Sequence, residues 1–171
     1  MQATVRLSHS NTSDDLKRVI EGRIDALANV HTLFVESRWM GAQLHSLAAQ
    51  ELLPYRDGRE ERVRINGPTV MLEPDTAQAI AMSLHELATN AAKYGSLSAT
   101  DGDVEIAWTH TAGGRLSLSW IESGGPTITP PTHRGFGTRV IEKAIGGQPG
   151  GEVRLDWRAT GLTCKIALLL S

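Results

Sequence analysis

Three polar residues in the segment HELATNAAKYG, residues 85–95, have side chains and a spacing that suit the binding of a ligand or a metal ion. Glu86, Asn90 and Lys93 follow one another at intervals that place them on one face of a helix. Asparagine is a poor residue for a helix interior, because its side chain competes with the backbone for hydrogen bonds. Its amide oxygen is, however, a hard ligand that suits Mg²⁺. We therefore expect this face to contact a ligand, with Asn90 as the metal ligand.

A second group of residues lies in the segment WIESGGP, residues 120–126, where a predicted strand ends. Trp120 and Glu122 alternate along the strand, so their side chains point to the same side. Gly124 and Gly125 follow at once and let the backbone approach a ligand closely. A carboxylate placed here can accept a hydrogen bond from the exocyclic amine of adenine, and a charged hydrogen bond of this kind contributes about 1.5–3 kcal/mol.

A third group lies in the segment RGFGTRVIEKA, residues 134–144. Gly135, Gly137 and Thr138 stand at the start of a predicted helix, whose free amide groups and dipole attract anions. The segment is neither a Walker loop, since no Lys-Ser/Thr pair follows the glycines, nor a Rossmann fingerprint, since the third glycine is missing. Together, the three segments have the parts of a nucleotide-binding pocket.

The elements that position these groups are indicated by apolar periodicity and by turn-forming residues. Stretches with a period near 3.6 predict helices, alternating stretches predict strands, and glycine or proline separates them. The order of the elements predicts an α+β fold, a mostly antiparallel sheet with helices on one face. Helices are predicted over residues 12–34, 42–53, 74–94 and 135–147, and strands over residues 61–66, 103–110, 115–122, 151–159 and 161–171.

The first predicted helix carries a narrow apolar stripe. A stripe of this width fits either packing on the helix's own domain or packing against a partner helix. His31 falls on or beside the stripe, and we expect a buried structural histidine there. The stripe consists of Leu16, Ile20, Ile24, Leu27, His31 or Val30, and Phe34.

Composition excludes several classes of protein. The 171 residues carry a formal net charge of −2, so no overall positive field attracts nucleic acid or an anionic membrane. The single cysteine, Cys164, excludes an internal disulfide and a multi-cysteine zinc site. A His-Glu-x-x-His zinc site is excluded as well, because Thr89 stands where its second histidine must be. No stretch approaches the roughly 18 apolar residues of a membrane span, and we expect a cytoplasmic location.

Three ordered motifs resemble those of the HWE histidine kinases. LHELATNAAKYGSLS, residues 84–98, resembles their N-box, and WIESGGP contains the Trp-x-Glu that completes their signature. GFGTRVIEKAIGGQPGGEVRLDW, residues 135–157, resembles their glycine-rich G2 segment. EGRIDALANVHTLFVESRWMGAQL, residues 21–44, resembles their second dimerisation helix and linker.

The resemblance implies the GHKL (Bergerat) ATP-binding fold, a two-layer α/β sandwich with a mixed, mostly antiparallel sheet behind an N-terminal helical stem. It divides the chain into a partial dimerisation and phosphotransfer stem with its linker, residues 1–40, and a catalytic ATP-binding domain, residues 41–171. The implied function is that of a sensor histidine kinase in a two-component system. Such an enzyme transfers the γ-phosphoryl group of ATP to a histidine, for relay to an aspartate of a response regulator.

The resemblance also implies ATP and Mg²⁺ as the bound groups. Asn90 matches the Mg²⁺ ligand, and Glu86 matches the N-box acid that orients metal-bound water or assists the transfer. His85 matches the family's histidine beside that acid. The remaining implied contacts lie along the nucleotide: Lys93 and Tyr94 near the phosphates and ribose, Glu122 at adenine, Gly124 and Gly125 below the base, and Gly135, Gly137 and Thr138 at the phosphates.

One departure from the family pattern concerns the phosphoacceptor. Its histidine is expected in an H-box rich in Arg, Lys and Asn, and neither His9 nor His31 has such neighbours. We therefore expect the acceptor upstream of this chain, and we expect the isolated chain to bind ATP rather than phosphorylate itself. The implied partners are a response-regulator receiver domain, an upstream sensor domain and a second copy of the chain through the stem.

Two other functions stay open at this point. A GHKL serine kinase of the anti-sigma type needs no helical stem, so the predicted stem argues against it. A catalytically silent nucleotide-binding or scaffolding module need not keep Glu86, Asn90 and the glycines, so their presence argues against that alternative.

Overall fold

A computed structural model of the chain describes residues 13–36, 41–56, 62–130 and 135–170. His9 lies outside these residues. The helices are α1 (Ser13–Glu36), α2 (Leu44–Leu52), α3 (Pro74–Tyr94) and α4 (Phe136–Gly146), with short 3₁₀ turns at Leu53–Tyr55 and Ser96–Ser98. The strands are β1 (Ala42–Gln43), β2 (Val63–Asn66), β3 (Met71–Leu72), β4 (Asp103–His110), β5 (Arg115–Ser123), β6 (Glu152–Arg158) and β7 (Gly161–Leu169).

The main sheet has five strands in the order β2-β4-β5-β7-β6. Strand β2 runs parallel to β4, with Val63 opposite Val104, and the other neighbours are antiparallel. The predicted mixed, mostly antiparallel sheet is therefore confirmed. A separate pair, β1 with β3, places Ala42 opposite Leu72, and the sequence did not predict it.

Alternation along the strands explains which face of the sheet is buried. In β4, Val104, Ile106 and Trp108 are buried, and the residues between them are at least partly exposed. Because strand side chains point alternately to the two faces, this pattern gives the sheet one apolar face. The buried residues of β5 and β7 belong to the same core, which lies between the sheet and the helices.

Helix α3 crosses this core and carries most of the candidate site. Proline at its first position and Asp75 in its first turn suit a helix start. Its buried residues include every position of the predicted apolar face: Ala77, Ile80, Ala81, Leu84, Leu87, Ala88 and Ala91. The helix ends at Tyr94, as predicted, but Gly95 has a φ of −108° and is not left-handed. The reason for glycine there is instead its closeness to Glu122, which a Cβ atom would overlap.

Helix α1 packs along α2 and α3 with a face that includes Val30 of the predicted stripe but leaves out Ile24. Ala26 and Val30 are each 1% exposed, whereas Ile24 is 49% exposed. His31 is exposed, so the prediction of a buried structural histidine is wrong. The buried face of α1 also includes Arg23 and Ala26. A search for a stripe of large apolar residues does not find an arginine or an alanine. None of the helices in the described ranges combines the length and apolar character needed to cross a membrane.

Candidate nucleotide-binding site

Glu122 lies at the end of β5 and is buried. Its Oε1 accepts a hydrogen bond from the Trp120 indole nitrogen at 3.1 Å, and its Oε2 accepts one from the Ser96 amide at 3.0 Å. Burial raises the pKa of the Glu122 carboxyl above its usual value of 4.5, and these two hydrogen bonds oppose the shift. Trp120 and Glu122 thus lie on the same side of β5, as predicted, and the Trp120 indole helps to hold the Glu122 carboxylate.

The two glycines after Glu122 pack against the loop that follows α3. Gly124 has a φ of +68°, a left-handed conformation that favours glycine. A Cβ atom on Gly125 would lie 2.6 Å from the Ser96 Cα. These glycines therefore allow close packing against the backbone of the loop after α3, and not only against a ligand. Their predicted place below an adenine base stays a prediction.

The loop after α3 is held by Arg62, which the sequence did not single out. The Arg62 side chain is buried and donates hydrogen bonds to three carbonyl groups of the loop. Nε lies 3.1 Å from the Gly102 oxygen, and Nη2 lies 2.6 Å from Leu97 O and 2.7 Å from Ala99 O. Because Ser96 belongs to this loop, Arg62 also supports the amide that contacts Glu122.

Glu86 lies on α3 and is paired with an arginine of α1. Arg23 Nε donates to Glu86 Oε1 at 2.7 Å, and the two side chains are only 3% and 10% exposed. The Arg23 guanidinium also lies over the ring of Phe136, 4.3 Å from its centroid. Neither Arg23 nor Phe136 was among the predicted site residues. Arg23 thus joins α1, α3 and the start of α4.

Asn90 and Glu86 both face the start of α4. A Cβ atom on Gly137 would lie 2.9 Å from Glu86 Oε2 and 3.0 Å from the Asn90 side-chain nitrogen. Gly135 precedes the helix as its exposed N-cap residue, and Thr138 is half-buried in the first turn. The structure therefore brings together Glu86, Asn90 and Gly137, three residues that the sequence placed at the metal and the phosphates.

An amide oxygen and a neighbouring carboxylate fit Mg²⁺, which binds few protein oxygens and keeps waters and phosphate oxygens as its other ligands. Within the described residues, no group of three or more His, Cys, Asp or Glu side chains could hold a metal ion by itself. The donor set on α3 thus suits a metal that arrives with a nucleotide rather than a closed structural metal site.

The remaining predicted residues lie around this centre. His85 contacts a different pair of helices: its Nδ1 lies 3.5 Å from Oε2 of the buried Glu51 on α2, and its Nε2 would lie 3.0 Å from a Cβ atom on Gly22 of α1. Lys93 is exposed and Tyr94 is 71% exposed. Glu51 was another residue that the sequence did not indicate.

A family model described as "HWE histidine kinase" matches residues 1–69. Over these residues the chain is similar to the HWE histidine kinases. The match ends before α3 and β5, so Glu86, Asn90 and Glu122 lie outside it.

Proteins similar to this chain include blue-light-activated histidine kinases. The chain is 38% identical over 151 residues to "Blue-light-activated histidine kinase 1" of Erythrobacter litoralis (strain HTCC2594), an alignment that covers 85% of this chain and 41% of the relative. It is 28% identical over 167 residues to "Blue-light-activated histidine kinase" of Brucella ovis, covering 96% of this chain and 34% of the relative. The chain thus spans less than half the length of these relatives.

Solved structures support the fold of the chain. The Erythrobacter litoralis EL346 blue-light activated histidine kinase is similar with a TM-score of 0.73 at 20% identity, covering 92% of this chain and 50% of that one. The catalytic domain of histidine kinase ThkA gives a TM-score of 0.53 at 18% identity, covering 75% of this chain and 94% of that domain. The predicted fold class, a GHKL-type α/β sandwich behind an N-terminal helix, is confirmed.

Proposed function

We propose that this chain is the ATP-binding catalytic region of a two-component sensor histidine kinase. It transfers the γ-phosphoryl group of Mg-ATP to a histidine outside the described residues, and a response-regulator aspartate then receives the group. The observation that carries the proposal is the arrangement of Glu86 and Asn90 on α3 opposite Gly137 of α4. A receiver domain, an upstream sensor domain and a cytoplasmic location belong to the same proposal.

The chain's own residues have few chemical tasks in such a reaction. A neutral imidazole is already a nucleophile, so catalysis consists mainly of positioning and of neutralising charge. Bound Mg²⁺ neutralises charge on the phosphate oxygens. Asn90 would hold Mg²⁺ through its amide oxygen, and Glu86 would orient a water beside the metal or accept the proton of the attacking imidazole.

The nucleotide base is held at the other end of the site. Glu122, fixed by Trp120 and Ser96, accepts a hydrogen bond from the exocyclic amine of adenine. The free amides at the start of α4, from Gly135 to Thr138, bind phosphate oxygens. Lys93 and Tyr94 are exposed at the end of α3. When ATP is bound, they lie near its phosphates and ribose.

Asn90→Ala tests the proposal. Alanine is a better helix residue than asparagine, so the variant should stay folded. We expect it to lose Mg-ATP binding in isothermal titration calorimetry, while Asn66→Ala, at an exposed position at the end of β2, keeps the affinity of the native chain. An unchanged affinity of Asn90→Ala would exclude the metal-binding role.

A second experiment identifies the acceptor class. The chain is mixed with γ-labelled ATP and with a separately supplied helix that carries an H-box. Acid-labile label on histidine supports the histidine kinase, and acid-stable label on serine indicates the anti-sigma type of kinase. Binding of ATP without any transfer to either residue indicates a silent module.

A further inference from the structure

We propose that the outer edge of strand β6 binds a second copy of this chain, strand to strand. Strand β6 stands last in the order β2-β4-β5-β7-β6, and within the described residues it pairs with β7 alone. None of the other backbone hydrogen bonds between described residues involves residues 152–158. This edge can therefore pair with a strand of another chain. No residue of β6 belongs to the candidate nucleotide site, so the proposal does not depend on the proposed function.

The backbone groups on this edge belong to alternate residues. Arg158 and Gly161 lie opposite each other with only two residues between them, so they form a hydrogen-bonded pair of the hairpin. Hydrogen-bonded and non-hydrogen-bonded pairs alternate along an antiparallel ladder. The N–H and C=O groups of Val153, Leu155 and Trp157 therefore point away from β7 and can bond to a second strand.

The side chains of the same three residues form the apolar part of the edge. Val153, Leu155 and Trp157 pack against the hydrophobic core, but each is only partly buried. The core residues of the neighbouring β7 are all buried: Leu162, Cys164, Ile166 and Leu168. The core layer thus ends at β6 with apolar surface still exposed to solvent, and a second β6 alongside covers that surface.

The opposite face of β6 carries charges whose order is self-complementary. The charged residues alternate in sign along the strand: Glu152, Arg154, Asp156 and Arg158. A second β6 can lie antiparallel with Leu155 opposite Leu155 of the other copy. Glu152 is then opposite Arg158, and Arg154 is opposite Asp156. Opposite charges at facing positions stabilise a strand pair, and like charges destabilise it.

This register alone gives all four charges an opposite partner. A displacement by two residues in one direction places Arg154 opposite Arg154 and Glu152 opposite Asp156. The same displacement in the other direction places Asp156 opposite Asp156 and Arg154 opposite Arg158. A displacement by one residue turns the charged face of one strand to the core side. The charges therefore select the register, while backbone hydrogen bonds and apolar contacts supply the affinity.

Charges on an edge strand can also serve only to keep other strands away. Charges of a single sign do this against a second copy in every register. In β6 the acids and arginines are equal in number and alternate, so they repel a second copy in the neighbouring registers and attract it in the one centred on Leu155. The pattern therefore favours a second copy as the partner.

Two ion pairs within the chain leave the acids of β6 available. Glu152 lies 3.3 Å from Arg115, and the Glu152 side chain is 74% exposed. Asp156 lies 2.7 Å from Arg158, and these side chains are 48% and 69% exposed. Exposed pairs of this kind contribute little, so both acids can accept an arginine of the second copy.

The test is whether two variants that do not pair with themselves pair with each other. Arg154→Glu places an acid opposite Asp156, and Asp156→Arg places an arginine opposite Arg154. By symmetry, each variant alone has like charges at two places in the dimer. In a mixture of the two variants, the new acid of one chain faces the new arginine of the other, and the second pair is the native one.

Self-association of the whole chain is measured by sedimentation velocity. Because β6 has seven residues, the interface is small and we expect native dimers between micromolar and millimolar concentrations. Each single variant should dimerise about tenfold more weakly. An equimolar mixture of the two should dimerise like the native chain, and so should the double variant Arg154→Glu/Asp156→Arg. The control is Lys165→Glu, which makes the same change of charge as Arg154→Glu on the same face of the sheet, but on β7; it should behave like the native chain.

Hydrogen exchange locates the interface. The amides of Val153, Leu155 and Trp157 should exchange more slowly as the concentration of the native chain rises, whereas exchange in Arg154→Glu should change much less over the same range. A native chain that stays monomeric overturns the proposal, as does a dimer that both single variants form as strongly. Failure of the mixture and of the double variant to recover dimerisation overturns it too, and recovery excludes misfolding as the cause of the weaker association.

Discussion

Glu122→Gln separates the binding role proposed for Glu122 from its contribution to stability. Each carboxylate oxygen accepts one hydrogen bond from the protein, Oε1 from Trp120 and Oε2 from the Ser96 amide. Because a carboxylate has about four acceptor positions, both oxygens can still accept from a ligand. Glutamine has the same shape but a single acceptor oxygen, and its NH₂ group has to face a protein donor or the base.

The expected loss of affinity follows from one charged hydrogen bond. Such a bond contributes about 1.5–3 kcal/mol, and about 1.4 kcal/mol corresponds to a factor of ten. We therefore expect the affinity of Glu122→Gln for Mg-ATP to fall about tenfold to a hundredfold. Preference for adenine over guanine should fall as well, since the glutamine NH₂ can donate to the guanine oxygen.

Stability should respond differently from binding. Burial raises the pKa of Glu122 above 4.5, so between 4.5 and the raised pKa the folded chain binds more protons than the unfolded chain. The free energy of unfolding therefore falls as pH rises through this window. Glutamine resembles the protonated carboxyl and does not titrate. The variant should therefore lack this part of the decline.

Calorimetry with Mg-ATP and Mg-GTP measures the first effect, and urea unfolding across the acidic and neutral range measures the second. Glu152→Gln is the control, because its side chain is 74% exposed and pairs with Arg115 at 3.3 Å on the surface; it should change neither property measurably. An unchanged affinity of Glu122→Gln for Mg-ATP would refute the adenine contact. A variant whose free energy of unfolding declines with pH as steeply as that of the native chain would refute the desolvation reasoning.

Two further predictions concern the core and the glycines. Burial raises the pKa of the Cys164 thiol to about 12, so a thiol reagent should label the native chain only as fast as it unfolds, and rapid labelling at mildly alkaline pH would contradict this. Gly125→Ala places a Cβ atom 2.6 Å from the Ser96 Cα and should lower the free energy of unfolding, measured in urea, by about 1–3 kcal/mol. Gly146→Ala is the control, because a Cβ atom at this position of α4 has no neighbouring atom within 4 Å. It should raise the free energy of unfolding by about 0.5–1 kcal/mol. A change of the same sign in both variants would contradict the packing argument.

Local patterns were sufficient for the regular elements. Val104, Ile106 and Trp108 alternate along β4, and the apolar residues of α3 recur on one face. Both patterns lie within a single segment, so they can be read without knowing which other segment packs against it. The pairing of β2 with β4 was not predictable in this way, because a parallel pair depends on a crossover connection and the strand pattern alone does not name the partner. Strands β1 and β3 have two residues each, too few to show any period.

The candidate site was predictable where residues on one element act together, and not where elements meet. Glu86 and Asn90 could be assigned to one face of α3 from their spacing. Arg23 is 63 positions from Glu86, and no local feature of α1 indicates the contact. The predicted stripe included Val30, which is buried, and Ile24, which is exposed, whereas the buried Arg23 and Ala26 were not part of it. The choice between these faces depends on the surface that α1 meets, which is formed by other segments.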